Sequence, residues 1–150
     1  MTTPPTMSPA RHEWIRGFPL REKVALAGEI VVEYGRVRVL LRRSQLPVVL
    51  ARLRARRSPT PAYADALAAK AAAIRLGRAI GRTLRYVPGD SRCLVRSLVL
   101  TSLLARRGID VTLVIGVAPG PGFAAHAWVE SDGFPLLPAL DDIHERLVEL

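Results

Sequence analysis

Two residues of this chain have types and spacing suited to covalent chemistry. Cys93 is the lone cysteine, and His126 follows 33 residues later in the segment AHAWVE, residues 125–130. Cys93 begins a strongly helical stretch, and His126 lies in an alternating stretch typical of a strand. The positive end of a helix favours a thiolate over a thiol, and a nearby imidazole accepts its proton. The pair predicts a cysteine hydrolase; the alternative for any lone cysteine is a small buried core residue.

The other histidines fit the role of general base less well than His126. His12 lies in a Pro-rich opening segment, and His144 lies among charged residues near the C-terminus. On a strand, His126, Trp128 and Glu130 share one face. Trp128 is therefore predicted to shield the site from water or to line a substrate groove, with a role as core filler as the alternative.

A third group should orient the imidazole, and two aspartates are candidates. If residues 132–133 form a two-residue turn, Asp141 lies on the face of His126 as its diagonal neighbour. A three-residue loop shifts the register and favours Asp142 instead. Glu130 is too far along the strand, because four residues span about 13 Å. We expect Asp141, with Asp142 as the alternative; solvation of a C-terminal loop by both is the competing interpretation.

Composition narrows the class of protein. The chain has 150 residues, the size of one domain, and its apolar content of 49% excludes a disordered chain despite a net charge of +9. A lone cysteine excludes an internal disulfide and a Cys-rich zinc site, and thiol chemistry needs no metal or organic cofactor. Residues 1–10 lack the apolar segment of a signal peptide, and no apolar run approaches the roughly 20 residues of a membrane span. We therefore expect a cytoplasmic protein.

Periodicity predicts an α+β fold in a single domain, residues 1–150. Its parts are a loose segment over 1–17, a basic helical region over 20–84 and a catalytic core over 86–150. Glycines at 28 and 35 weaken the first helix and allow it to be split in two. The expected helices cover 20–43, 46–57, 62–84 with Thr60 as cap, and 92–107 capped by Asp90 or Ser91 and ended by Gly108. The expected strands cover 111–118, 124–131 and 134–137.

Charge is distributed unevenly along the chain. Residues 34–64 contain eight arginines and no acidic residue, whereas residues 130–150 contain six acidic residues and one arginine. Such a basic region is either a solvated face or a docking surface for a peptide or partner protein. Nucleic-acid binding is disfavoured, because aromatic residues make up 5% of the chain and do not alternate with the arginines.

Four sequence blocks carry a family resemblance. They are DSRCLVRSL (90–98), LARRGI (104–109), VIGV (114–117) and FAAHAWVE (123–130). In this order and spacing they resemble the transglutaminase-like cysteine protease of lasso-peptide biosynthesis, over roughly residues 86–137. The resemblance implies a papain/transglutaminase-like core, in which a central Cys-bearing helix packs on a small antiparallel sheet. It also implies removal of the leader from a ribosomally made precursor peptide.

The resemblance assigns roles and partners as well. It makes Cys93 the nucleophile and His126 the general base; the family's acidic third position falls on Pro138 here, so Asp141 or Asp142 would take that role. It implies a discrete protease that works with a separate leader-recognition protein and, next in sequence, the lasso cyclase. The alternatives are an acyltransferase of the transglutaminase type on the same fold, and a non-catalytic basic adaptor for peptide or protein.

Overall fold

The computed structural model describes residues 19–87, 93–118, 124–137 and 145–150. Within these ranges, four helices precede a four-stranded antiparallel sheet in the order β3-β2-β1-β4. The helices are α1 (Leu20–Arg43), α2 (Leu46–Arg54), α3 (Ala66–Leu84) and α4 (Cys93–Ala105). The strands are β1 (Thr112–Ala118), β2 (Ala124–Ser131), β3 (Phe134–Pro135) and β4 (Glu145–Glu149). The predicted α+β class is confirmed, and none of the helices described is both long and apolar enough to cross a bilayer.

Helix α4 forms the centre of the fold. Apolar residues lie on every side of it, and every residue from 97 to 105 is buried, including Ser97, Thr101 and Ser102. A helix without a polar face must be covered on all sides, and α4 is: α1, α2 and α3 pack on it from the helical layer, and β2 packs on it from the sheet. Cys93 is the first residue of this central helix.

The helix boundaries follow local capping chemistry. Helix α1 continues through Gly28 and Gly35, so the possible split does not occur. Helix α3 starts later than expected, and the prediction of Thr60 as its cap was wrong. The cap is Asp65, whose carboxylate accepts the backbone N–H of Ala68 at 2.7 Å.

The β2–β3 hairpin has the two-residue turn that the sequence predicts. Asp132 and Gly133 have φ values of 50° and 74°, as a type I′ turn requires, and Ser131 pairs with Phe134. Strand β3 is shorter than expected: it ends at Pro135, which has no N–H to donate, and the next two residues are buried in the core.

Strand β4 was not predicted: the sequence patterns indicate no helix or strand after residue 137. It pairs with β1 at the sheet edge opposite β3, with Arg146 beside Gly116. Leu150 exchanges two backbone hydrogen bonds of 2.8 Å with Leu113, and Arg54 donates to the Leu150 carbonyl at 2.7 Å. The segment carries a single β-branched residue, so its composition does not favour a strand. Its pairing with β1 stabilises the strand instead.

A buried carboxylate joins the helical layer to α4. Glu33 of α1 is 2% exposed and accepts the Ser102 hydroxyl of α4 at 2.6 Å. Arg56, just after α2, donates to both oxygens of Glu33 at 3.1 and 3.0 Å. Hydrogen bonds on both oxygens compensate the cost of burying the charge.

Replacement of Glu33 by Gln should destabilise the protein by about 1–3 kcal/mol, because Arg56 loses its charged partner in a buried setting. Asp110→Asn is the matched control: it removes the carboxylate of an exposed ion pair with Arg57 and should cost less than about 1 kcal/mol. Urea denaturation of both variants measures the two losses. Equal losses would show that the buried carboxylate contributes no more than a surface pair.

Two glycines of α3 should respond oppositely to alanine. A Cβ on Gly77 would lie 2.5 Å from the Leu136 carbonyl oxygen, whereas a Cβ on Gly81 would meet nothing within 4 Å. Gly77→Ala should therefore destabilise by about 1–3 kcal/mol through overpacking. Gly81→Ala should stabilise by about 1 kcal/mol through helix propensity. Thermal unfolding of both variants tests this, and a stabilising Gly77→Ala would contradict the close approach of the backbone just after β3 to α3.

Candidate functional site

Cys93 lies at the N-terminus of α4, as the sequence predicts. Its side chain is partly buried and packs against the hydrophobic core. The predicted caps, Asp90 and Ser91, lie outside the described residues.

One buried hydrogen bond brings the Cys93 helix to the His126 strand. The hydroxyl of Ser97 donates to the backbone carbonyl of Ala127 at 3.0 Å. Cys93 lies one helical turn before Ser97 on the same side of α4, and His126 directly precedes Ala127. The structure therefore brings together the two chain segments that carry the predicted nucleophile and base. A direct contact between the thiol and the imidazole stays a prediction.

His126 lies partly buried in β2 and stacks on Trp128. Their ring centroids are 6.0 Å apart with an interplanar angle of 17°. Ala127 and Val129 point the other way, into the core against the helices. The residue opposite His126 on β1 is Gly116, which has no side chain to pack beside the imidazole.

Trp128 supports the imidazole from the outer face of the sheet. It is 6% exposed and lies opposite Val114, which is fully buried. Neither residue belongs to the main core cluster between sheet and helices. Trp128 is thus buried, as the core-filler interpretation expected, but on the face of His126. Its predicted contact with a substrate stays a prediction.

Two residues that sequence reasoning missed hold this tryptophan in place. Glu130 accepts the indole N–H of Trp128 at 2.7 Å and forms an ion pair with Arg146 of β4. Arg146 also donates to Glu149 at 2.7 Å. Glu130 was set aside because it lies too far along the strand to touch His126; it acts on the imidazole's stacking partner. The alternation of residues 126, 128 and 130 along β2 was the sequence signal that could have identified Glu130. No such signal pointed to Arg146, because β4 was not predicted.

The electrostatics of Glu130 follow from these partners. Burial raises the pKa of the Glu130 carboxyl. Hydrogen bonds from Arg146 and Trp128, together with the positive charge of Arg146, outweigh this effect, so the net pKa is below the ordinary 4.5. The hydrogen bond from Arg146 to Glu130 in turn raises the pKa of the Arg146 guanidinium. The pair is therefore ionised at neutral pH.

The third member of the predicted triad is untested by these contacts. Asp141, Asp142 and Pro138 lie outside the described residues, as do the other two histidines, His12 and His144. Within the ranges that are described, no group of three or more His, Cys, Asp or Glu side chains is arranged to hold a metal ion.

Glu130→Gln should lower stability at neutral pH but not in acid. Because the pKa of Glu130 is lowered from 4.5 on folding, the unfolded chain binds its proton more readily. The stabilising contribution is complete above pH 4.5 and is lost as the pH falls through the lower folded value. Urea denaturation over a pH series should show the difference from wild type shrinking towards acid.

The matched control for this experiment is Glu149→Gln. Glu149 shares Arg146 with Glu130, but its side chain is 56% exposed, so its loss should be small. A loss in Glu130→Gln that does not change with pH would contradict the assignment of an ionised, buried Glu130.

Comparison with known families places these features in a wider group. Residues 34–146 match the transglutaminase-like superfamily, whereas comparison with curated proteins and with solved structures found no significant match. The matched stretch is well over half of the chain and begins inside α1, so it includes helices that the four sequence blocks did not cover. It also includes Cys93, His126 and the whole hairpin. The chain belongs to the transglutaminase-like superfamily.

Proposed function

We propose that this protein is a cysteine peptidase that removes the leader peptide from a ribosomally made lasso-peptide precursor. The observation that carries the proposal is the buried hydrogen bond from Ser97 to the Ala127 carbonyl. It joins the N-terminal turns of the Cys93 helix to the strand of His126, in a chain of the transglutaminase-like superfamily. The choice of a leader peptide as substrate rests on the four sequence blocks of residues 90–130.

The proposed reaction is acyl transfer to water in two steps. The Cys93 thiolate attacks the scissile carbonyl carbon, and the protonated imidazole of His126 gives its proton to the leaving amine. The leader side remains as a thioester on Cys93. His126 then takes a proton from water, whose oxygen attacks the thioester and releases a carboxylic acid and the Cys93 thiolate, so that the starting pair of thiolate and protonated imidazole is restored.

Two further residues, an aspartate and Trp128, have proposed roles around this pair. Asp141 orients the imidazole, with Asp142 as the alternative, in keeping with the two-residue turn between β2 and β3. Trp128 shields the imidazole from water on the substrate side. Its stacking on His126 at 6.0 Å and its hydrogen bond to Glu130 support a fixed ring position.

The proposal includes partners and a compartment. The whole chain, 1–150, acts as one domain that receives its precursor from a separate leader-recognition protein and passes the core peptide to the lasso cyclase. The reaction takes place in the cytoplasm, where a lone catalytic thiol stays reduced. The chemistry uses no metal or organic cofactor.

A second candidate function is acyl transfer to an amine on the same fold. Membership of the transglutaminase-like superfamily fits it as well as hydrolysis, because both reactions pass through the same thioester. The two differ in product mass: hydrolysis yields fragments that together equal the precursor plus one water, whereas transfer adds the mass of the amine.

The peptidase predicts Cys93-dependent cleavage. The precursor should be incubated with this protein and its leader-recognition partner and analysed by mass spectrometry, beside Cys93→Ala. The variant should fold and bind the precursor but lose cleavage by at least about a thousandfold, because it lacks the nucleophile. Precursor left intact by a folded wild type, with an active partner present, would favour the basic adaptor and leave Cys93 as a core residue.

The same assay separates the two aspartates. Asp141→Ala should lower the cleavage rate by about a hundredfold or more, because the imidazole loses its orienting group. Asp142→Ala is the matched control, since it removes an adjacent carboxylate of the same kind. The opposite result would assign the third position to Asp142.

A further inference from the structure

We propose that the outer face of α1 is a docking surface for an acidic amphipathic helix of a partner protein. This face is formed by six small apolar residues, Val24, Gly28, Val31, Val32, Gly35 and Val39. The proposal concerns a surface away from Cys93 and does not depend on the proposed peptidase function.

The outer face is apolar, yet its side chains are exposed to water. Val24 and Val32 are 63% and 73% exposed, and Val31 and Val39 are each more than two-fifths exposed. The opposite face of α1 already packs on the core through Ile30 and Val37. A helix that is apolar on both faces is normally covered on both, and contiguous exposed apolar surface marks interaction sites.

Residue spacing on the outer face suits a second helix. Val24, Gly28, Val31 and Gly35 follow one another at steps of four, three and four residues, the alternation of a coiled-coil seam. A Cβ on Gly28 or Gly35 would meet nothing within 4 Å, so both positions are open notches. Small residues along a seam let two helix backbones approach closely. The face is therefore shaped for a helix that inserts its own side chains at the notches.

Charge specifies an acidic partner. Arg36, Arg42 and Arg43 are exposed on α1, whereas five other arginines of the basic region are engaged within the chain. The carboxylates in the middle of α1 are turned away from the outer face: Glu29 pairs with Arg107, and Glu33 is buried. The docking helix should thus carry Asp or Glu beside its apolar seam.

Two other occupants fit this face less well. In a homodimer through α1, the same arginines would lie in both halves of the interface and repel one another. A membrane surface would be attracted by the arginines, but valine and glycine offer little area to insert between lipids, and the face carries no aromatic anchor.

The test uses the full chain and two synthetic helices of about 21 residues, with identical Ala/Leu seams and either Glu or Lys flanks. Fluorescence anisotropy should show the Glu-flanked helix binding and the Lys-flanked helix not binding. Gly35→Gln fills one notch and should weaken binding at least about tenfold. Gly81→Gln is the matched control, because a Cβ on Gly81 of α3 would also meet nothing within 4 Å and Gly81 lies outside the outer face. Both variants should melt at or above the wild-type temperature, since Gln favours a helix over Gly.

Four results would overturn the proposal. Equal binding of the Glu-flanked helix to wild type and to Gly35→Gln would indicate non-specific charge attraction. No binding at millimolar peptide would show that the outer face is not a docking surface for such a helix. Binding of vesicles of phosphatidylcholine and phosphatidylglycerol, lost in Gly35→Gln, would assign the face to a lipid surface instead. A wild-type dimer in sedimentation that becomes monomeric in Gly35→Gln would assign it to a second copy.

Discussion

The burial of α4 is the constraint on which the other elements depend. The nine residues 97–105 of α4 are all buried, and most of them are apolar, so this part of the helix cannot face water. Three helices cover part of its circumference, and β2 covers much of the rest. Only the ends of such a helix can approach the surface. Cys93 occupies one of those ends, so the demand for burial that builds the core also brings the thiol to the boundary between helices and sheet.

The polar atoms of α4 show how this buried helix is oriented. Ser97 donates to the Ala127 carbonyl, and Ser102, farther along α4, donates to Glu33 on α1. Unpaired hydroxyls at these buried positions would each cost about 1–3 kcal/mol, so the two bonds favour one rotation of the helix over others of similar apolar contact. With that rotation set, the side of α4 that carries Ser97, and Cys93 one turn before it, faces β2. On the opposite face of β2, Glu130 accepts the indole N–H of Trp128 and so holds the ring that stacks on the His126 imidazole.

Much of this arrangement follows from local patterns. The alternation around His126 and the Asp132-Gly133 turn predict β2 and its register, because turn geometry and side-chain alternation are both local properties. Strand β4 follows no such pattern, since its pairing depends on β1 and on Arg54, which are distant in sequence. The pair of Glu130 and Arg146 was missed for the same reason. The predicted start of α3 was wrong for a local reason: Asp65, and not Thr60, caps the helix.

Glu33 has a consequence for how α1 lies on its neighbours. A helix that presents apolar residues such as Ile30, Tyr34 and Val37 about one turn apart can slide along another helix with little loss of contact. A slide of one turn, about 5.4 Å, would carry the carboxylate away from both Ser102 and Arg56 and strand a charge in the core. The buried carboxylate thus fixes the position of α1 along its own axis. Because a helix is rigid along its axis, the contacts of Glu33 also fix the axial position of the outer face of α1 relative to the rest of the fold.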